Sequence, residues 1–295
     1  MEFYQVYKPS KSVLITDLDN TLYDWFEIWY SSFNAMLERV VEISGISKEQ
    51  LIKEIRPVHR EHGTAEYAFV LEKLPSLQKK YGSRQRINDE LSEAIHAYRS
   101  ERMTHLKLYK GVYDTLAELK SRRVRVIAYT ESKEWYTKNR LKRLGLDYFI
   151  EILYSPSDHS VPIEEEQRTE ITFDFMKSKH TPEGELKPNP RLLLDIIKEI
   201  GATPEECVYV GDSEMKDVEM ALQAGVTAVF AKYGTGHFEG DDRRYELLQA
   251  VTHWTDADVE REQEIKRNSK HLKPDYTIDR FDQLLEIINF RKKKA

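Results

Sequence analysis

The chain has 295 residues, of which 40% are hydrophobic and 33% are charged, and its formal net charge is -6. This composition is typical of a folded globular protein and excludes a wholly disordered chain. The acidic balance provides no overall basic field, so we expect neither a nucleic-acid partner nor an anionic membrane surface. The length suits one large α/β domain, or a core domain with a smaller insertion.

The cysteine content and the hydropathy pattern indicate in which cellular compartment the protein is expected. Cys207 is the only cysteine, which excludes an intramolecular disulfide and a cysteine-based zinc site. The first twelve residues lack the apolar core of a signal peptide, and no run of 18 apolar residues occurs. We therefore expect a cytoplasmic protein that does not span a membrane.

The first predicted element is a short buried strand at 13–15, which leads directly into Thr16 and Asp17. Polar residues in this position are typical of a parallel strand that ends at an active site. We therefore expect the acidic residues that follow this strand to lie at its carboxyl end.

A block of helices follows from residue 25 to about residue 105. Apolar residues recur there at helical spacing, Ser47 and Gln50 have the spacing of a capping box, and no convincing strand pattern occurs. This block reads as a module inserted after the first strand. We predict a core domain of residues 1–23 and 106–295 and a helical cap domain of residues 24–105.

Strand and helix patterns alternate from Gly111 onward. The predicted strands lie at 124–129, 150–154, 207–210 and 227–231, and the predicted helices at 112–119, 133–144, 191–200 and 217–224. This alternation predicts an α/β fold, with a Rossmann-like parallel sheet covered by helices on both faces. In such a fold, ligands bind beyond the carboxyl ends of the strands.

Two polar segments interrupt the alternation, at 155–185 and at 234–273, and the second contains a predicted charged helix at about 256–270. Lids, oligomer contacts and solvated surface excursions all fit these segments. The remaining residues, 274–288, are predicted to return to the sheet edge as a strand and a helix.

Asp17 and Asp19 form an acidic pair just past the first strand. Because a carboxylate is ionised at neutral pH, Asp17 can attack phosphorus without an activating base and form an aspartyl-phosphate. Asp19 can then protonate the leaving oxygen and later deprotonate the attacking water. A pair with this spacing is common in loops, so the interpretation needs further residues.

Those further residues occur in order along the chain, each at a strand end or a helix start. They are Thr130, Lys187, Asp212 and Asp217. Together they supply a hydroxyl donor, a cation and acids for a hard divalent metal. A phosphoryl transition state, whose charge is spread over three oxygens, requires such a set.

The pattern resembles the haloacid dehalogenase superfamily, whose motifs are Asp-x-Asp-x-Thr, a strand-terminal Thr or Ser, a Lys, and Gly-Asp-x-x-x-Asp. The resemblance covers about residues 10–23 and 108–289, and the helical block is similar to the cap of that family. It implies the following catalytic residues: Asp17, Asp19, Thr130 and Lys187. It implies Mg²⁺ as the cofactor, bound by Asp17, the carbonyl of Asp19 and Asp212, with Asp217 holding the metal through water or orienting its neighbours.

Within this superfamily, the acid at position 19 favours phosphoryl transfer over dehalogenation, because a dehalogenase has no phosphate-ester oxygen to protonate. We therefore predict hydrolysis of a small phosphomonoester, with a nucleoside monophosphate as the first guess, and a small phosphorylated metabolite as the partner. A phosphosugar mutase and a weakly catalytic binding or regulatory protein remain alternatives. The oligomeric state is left open.

Two further residues are candidates for substrate binding in addition to Thr130 and Lys187. Glu131 departs from the family pattern, which has a small or amide residue at this position. It is expected either to bind a hydroxyl or amine of the substrate or to pair with a cation. Arg60, in the cap, is a candidate for binding a substrate anion. A basic residue near an exposed helix C-terminus also explains Arg60.

Overall fold

A computed structural model describes residues 8–159, 171–238, 242–255 and 273–292, together with positions 257 and 260. Its main feature is a seven-stranded sheet in which every pair of neighbouring strands is parallel. These strands are β2 (Val13–Thr16), β3 (Arg125–Tyr129), β4 (Ile152–Ser155), β5 (Lys177–His180), β6 (Cys207–Gly211), β7 (Thr227–Ala231) and β8 (Tyr276–Ile278). Their order across the sheet is β5-β4-β3-β2-β6-β7-β8. The predicted Rossmann-like sheet is therefore confirmed.

A second, two-stranded parallel sheet joins β1 (Ser10–Lys11) to β9 (Asn289–Phe290). It ties the start of the described chain to its end. Neither strand was predicted, because two-residue strands leave no periodic pattern.

Helices cover both faces of the large sheet. They are α7 (Val112–Ser121), α8 (Glu134–Leu144), α9 (Pro190–Glu199) and α10 (Glu219–Gln223), with short turns at Phe281–Gln283 and Leu284–Ile287. Alternate residues of each strand enter different apolar cores: Leu14 packs on one face, and Val13 and Ile15 pack on the other. This alternation, with nearly all strand residues buried, is what a central parallel strand requires.

The inserted block between β2 and α7, which the structure describes throughout, contains helices and no strand. The helices are α1 (Trp25–Ser44), α2 (Lys48–His62), α3 (Val70–Lys73), α4 (Pro75–Tyr81), α5 (Arg84–Glu90) and α6 (Ser92–His105). Their apolar faces form a separate core from those of the sheet. Ser47 caps α2 by accepting a hydrogen bond from the Gln50 backbone N–H, which is one half of the predicted capping box, whereas the Gln50 side chain donates to Glu54.

Part of the second polar segment packs on this helical block. Helix α11 (Asp242–Val251) inserts Leu247, Leu248 and Val251 into the apolar core of the inserted helices. His59 of α2 accordingly contacts the Val251 carbonyl through Nδ1, at 2.7 Å. The two-domain division by residue number stays a prediction, and α11 is a helix from outside 24–105 that packs on the cap.

The first polar segment also differs from its prediction in part. Residues 177–180 form β5, the edge strand of the large sheet, although the whole of 155–185 was read as an excursion from it. Its exposed polar sequence, Lys-Ser-Lys-His, has no apolar face that would indicate a strand. The predicted charged helix at 256–270 lies almost entirely outside the described residues.

Among the residues that the structure describes, none of the helices combines the length and the apolar character that a membrane crossing requires.

Candidate active site

The predicted site residues lie where the central strands end. Asp17 follows β2, Thr130 follows β3 and Asp212 follows β6, and these three strands are direct neighbours. The backbone N–H of Asp17 donates to the Val210 carbonyl of β6 at 2.9 Å, which anchors the acidic loop to the sheet. In a parallel sheet the carboxyl ends meet at one edge, so the fold brings these residues together.

Lys187 lies at the centre of the site. Its Nζ donates to Asp17 Oδ1 at 2.6 Å and to Asp217 Oδ1 at 2.9 Å, and only 3% of its side chain is exposed. Helix α9 begins just after it, with Asn189 as the N-cap. The four motif residues Asp17, Lys187, Asp212 and Asp217 are therefore brought together as predicted, although 170 positions separate Lys187 from Asp17.

The charges of this cluster shift one another's protonation. Burial raises the pKa of Asp17 to about 7, against the attraction of Lys187 and with the repulsion of Asp217 and Asp19. Burial, followed by the charges of Asp17 and Asp217, raises the pKa of Asp212 well above its ordinary value. Burial alone would lower the pKa of Lys187, but the surrounding carboxylates outweigh it and raise that pKa. The cluster thus has three carboxyl groups, those of Asp17, Asp212 and Asp217, and Lys187 can neutralise only one negative charge.

The same cluster fits a divalent cation. Asp17, Asp212 and Asp217 each offer a carboxylate oxygen, and these oxygens lie within 4.8 Å of one another. An all-oxygen donor set is the kind that Mg²⁺ prefers, and its two charges would offset the acids that Lys187 leaves unbalanced. The residues present therefore fit the predicted metal.

Two hydrogen bonds and close packing on Gly211 hold the Asp217 side chain in place. Its Oδ1 accepts from the Tyr209 hydroxyl at 2.9 Å, and its Oδ2 accepts from the Ser213 N–H at 3.2 Å. It packs so closely on Gly211 that a Cβ there would lie 2.3 Å from the Asp217 carboxyl carbon. The glycine of the motif is therefore needed because the carboxyl group occupies the space of a side chain.

Asp19 is not one of the three clustered carboxylates, and its side chain contacts Ser132 and Arg140 instead. Its Oδ2 accepts a hydrogen bond from Ser132 Oγ, and its Oδ1 lies 3.5 Å from Arg140 Nη2. Ser132 also donates its backbone N–H to Thr130 Oγ1 at 3.1 Å, so it links Thr130 to Asp19. Neither Ser132 nor Arg140 was predicted as a site residue, since neither stands in a recognisable motif.

Glu131 makes contacts with protein groups through both of its carboxylate oxygens. Oε1 accepts from the Lys187 backbone N–H at 2.8 Å, and Oε2 pairs with Lys216 Nζ at 2.6 Å. Glu131 thus pairs with a cation, one of the two roles expected of it, and fixes the backbone that carries Lys187. Direct binding of substrate by Glu131 stays a prediction.

Arg60 lies on the exposed side of α2. Its Nη2 donates to the Trp254 carbonyl at 3.3 Å, in the segment that follows α11. This contact ties the cap helix to that segment, and Arg60 as a substrate-binding residue stays a prediction.

A model of the haloacid dehalogenase-like hydrolase family matches residues 11–225, nearly three-quarters of the chain. The chain belongs to this family. A second, HAD-like hydrolase model matches residues 186–284. The predicted family, fold class and enzyme class are confirmed.

Three known proteins illustrate the similarity. The glyceraldehyde 3-phosphate phosphatase of Methanopyrus kandleri is 27% identical over 94% of this chain and 97% of its own length. A phosphoglycolate phosphatase of Nitrosococcus oceani is 30% identical over 49% of this chain and 52% of its own length. A 2-haloacid dehalogenase structure from Pseudomonas syringae has a TM-score of 0.55, covers 94% of this chain and 97% of its own, and is 18% identical. This last similarity shows the fold alone.

Proposed function

We propose that the protein is a magnesium-dependent phosphatase of small phosphorylated metabolites that works through phospho-Asp17. The observation that carries the proposal is the contact of Asp17 with Lys187 at 2.6 Å, inside a cluster with the oxygens of Asp212 and Asp217. Such a cluster provides an anionic nucleophile beside the positive charge that a phosphoryl group requires.

The reaction has two steps. In the first, a carboxylate oxygen of Asp17 attacks phosphorus, the bond from phosphorus to the ester oxygen breaks, and Asp19 donates a proton to the departing alcohol. In the second, Asp19 takes a proton from water, whose oxygen attacks phosphorus and releases inorganic phosphate from Asp17. Splitting the hydrolysis in this way lets one acid serve first as general acid and then as general base.

The remaining residues hold the phosphoryl group. Lys187 contributes a fixed positive charge, and the Thr130 hydroxyl, buried at the end of β3, is the proposed donor to a phosphate oxygen. A bound Mg²⁺ would be held by the oxygens of Asp17, Asp212 and Asp217 and would offset charge on the phosphate. Thr21 donates to Asp17 Oδ2 at 3.3 Å and orients the nucleophile.

For the substrate, we propose a small phosphoester, with glyceraldehyde 3-phosphate and phosphoglycolate as the first compounds to assay. The support is the Methanopyrus kandleri phosphatase, whose similarity runs through nearly the whole chain, and the phosphoglycolate phosphatase that matches about half of it. The nucleoside monophosphate remains a prediction that the same panel tests, and the cytoplasmic location remains a prediction from the single Cys207.

The decisive assay is the release of phosphate from an aryl phosphate with and without Mg²⁺. Asp17→Asn should abolish turnover, because the amide is a poor nucleophile, and chelation with EDTA should do the same. Asp195→Asn, an exposed acid on α9, is the matched control and should keep full activity. Full activity of Asp17→Asn would contradict the mechanism, and no turnover on a broad phosphomonoester panel would contradict the proposed function.

A further inference from the structure

Arg140 is a fully buried cation where the core meets the cap. It lies on α8, has 0% of its side chain exposed, and contacts Glu66 and the loop that holds Asp19 and Tyr23. Its Nε donates to the Tyr23 hydroxyl at 3.2 Å, and its guanidinium lies over the Tyr23 ring. Burying a charged side chain costs free energy unless the charge is paired, so the groups that pair with Arg140 indicate its role.

The first partner is Glu66, in the cap segment between α2 and α3. Arg140 Nη1 donates to both of its carboxylate oxygens, at 2.9 and 3.1 Å. Glu66 also accepts from Trp25 Nε1 at 3.0 Å, so the carboxylate is fixed from two directions. Burial alone would raise the pKa of Glu66, but the charges of Arg140 and Arg102, together with the hydrogen bonds from Trp25 and Arg140, outweigh it and lower that pKa. The pair therefore joins cap to core as ions.

The second partner is Asp19, on the other side of the guanidinium. Arg140 Nη2 lies 3.5 Å from Asp19 Oδ1, and both atoms are buried and make no hydrogen bond within the part of the chain that the structure describes. The other oxygen of Asp19 is held by Ser132. Nη2 thus lies beside the oxygen of Asp19 that Ser132 does not hold.

We propose that Arg140 is a positioning residue that couples the position of the cap segment at Glu66 to the orientation of Asp19 as the proton donor. The inference rests on the proposed function, since it assigns Arg140 to the proton-transfer step. The planar guanidinium suits this role because it presents several donors in fixed directions, so fixing Nη1 on Glu66 fixes where Nη2 points. A lysine would supply charge without this geometry.

The test compares two substrates of nearly the same shape, 4-nitrophenyl phosphate and phenyl phosphate. Nitrophenolate leaves readily without a proton, whereas phenolate depends on the general acid. The quantity measured is kcat/KM, which covers the steps up to release of the phenol. In Arg140→Lys, the loss on phenyl phosphate should exceed the loss on 4-nitrophenyl phosphate by about tenfold, because positioned acid catalysis is worth 10²–10⁴ in rate.

Two further variants complete the experiment. Glu66→Gln breaks one of the two hydrogen bonds from Arg140 Nη1 and should shift the substrate ratio in the same direction; it decides the question if Arg140→Lys does not fold. Arg143→Lys makes the same substitution at an exposed position of α8 and should leave the ratio unchanged. Mg²⁺ affinity, measured by calorimetry, should stay that of the unaltered protein in all three variants.

The outcomes separate the inference from the function on which it rests. A selective loss on phenyl phosphate in the folded variants supports the positioning role. An equal loss on both substrates, or none, would leave Arg140 with a packing role only and overturn the inference, while the phosphatase proposal stands. Absence of turnover by the unaltered protein on either substrate would overturn the proposed function and the inference together.

Discussion

Replacing Lys187 by Met should destabilise the metal-free protein, because it removes a cation in direct contact with both Asp17 and Asp217. The side chain is 3% exposed and lies 2.6 and 2.9 Å from the two carboxylates. Removing one partner of a buried ion pair costs about 3–5 kcal/mol, since the charge left behind has neither water nor a counter-ion. We expect a loss of about that size in the free energy of unfolding.

The size of this loss should depend on pH. Burial and repulsion already raise the pKa of Asp17 to about 7, and removing Lys187 raises that pKa further. A carboxyl group with a raised pKa in the folded state binds more protons there than in the unfolded chain. The stability it contributes therefore decreases as the pH rises above the ordinary pKa of an aspartate, and the variant's deficit should be larger at about pH 8 than at about pH 5.

Urea denaturation in EDTA at these two pH values measures the effect. Lys198→Met, an exposed lysine in the last turn of α9, is the matched control and should change stability by less than about 0.5 kcal/mol. A Lys187→Met protein as stable as this control at the higher pH would refute the reasoning. So would a deficit that shrinks as the pH rises.

Two further predictions concern stability and metal binding. Burial lowers the pKa of His59 from 6.5 to about 4, and the neutral ring is bound to the Val251 carbonyl. As the pH falls, His59 is protonated in the unfolded chain before it is protonated in the folded protein. The free energy of unfolding should therefore fall by about 3 kcal/mol between about pH 7 and pH 4. His59→Asn should flatten this dependence in acid denaturation, and an unchanged slope would contradict the assignment. Gly211→Ala should displace the Asp217 carboxyl and lower Mg²⁺ affinity by about 10- to 100-fold in calorimetry, whereas unchanged affinity would show that Asp217 does not support the metal.

The position of the acidic residues could be predicted from the sequence, because they follow apolar runs that form parallel strands. Asp17 and Asp212 follow apolar runs that are buried strands, and parallel strands bring their carboxyl ends to one edge. The position of Lys187 also followed from its motif at a helix start. The distances from its Nζ to the Asp17 and Asp217 carboxylates did not follow, because they depend on how the loop before α9 packs.

Arg140, Ser132 and Glu66 were beyond the reach of the sequence for a physical reason. Arg140 stands in a helix rich in Lys and Arg, where a solvated face is the usual interpretation. In the fold it is fully buried and paired with Glu66, 74 positions away in the chain. Contacts between an insertion and its core are decided by tertiary packing and leave no local pattern.

The polar segments were misread for a related reason. Strand β5 has no apolar face because it lies at the sheet edge, and its pairing with β4 through backbone groups needs no particular side chains. Helix α11 has an apolar face, but the surface it covers belongs to the inserted helices rather than to the sheet. The hydrophobic pattern indicates that a face is buried without indicating what covers it.

The central claim is that Asp17 carries the phosphoryl group, and trapping that intermediate tests it most directly. Acid-quenched enzyme from turnover with Mg²⁺ is reduced with borohydride, which converts an aspartyl-phosphate to homoserine, and the peptides are analysed by mass spectrometry. We predict homoserine at position 17 in the unaltered protein, and none in Asp17→Asn or in EDTA. Continued turnover with homoserine at another position, or with none at all, would contradict the account.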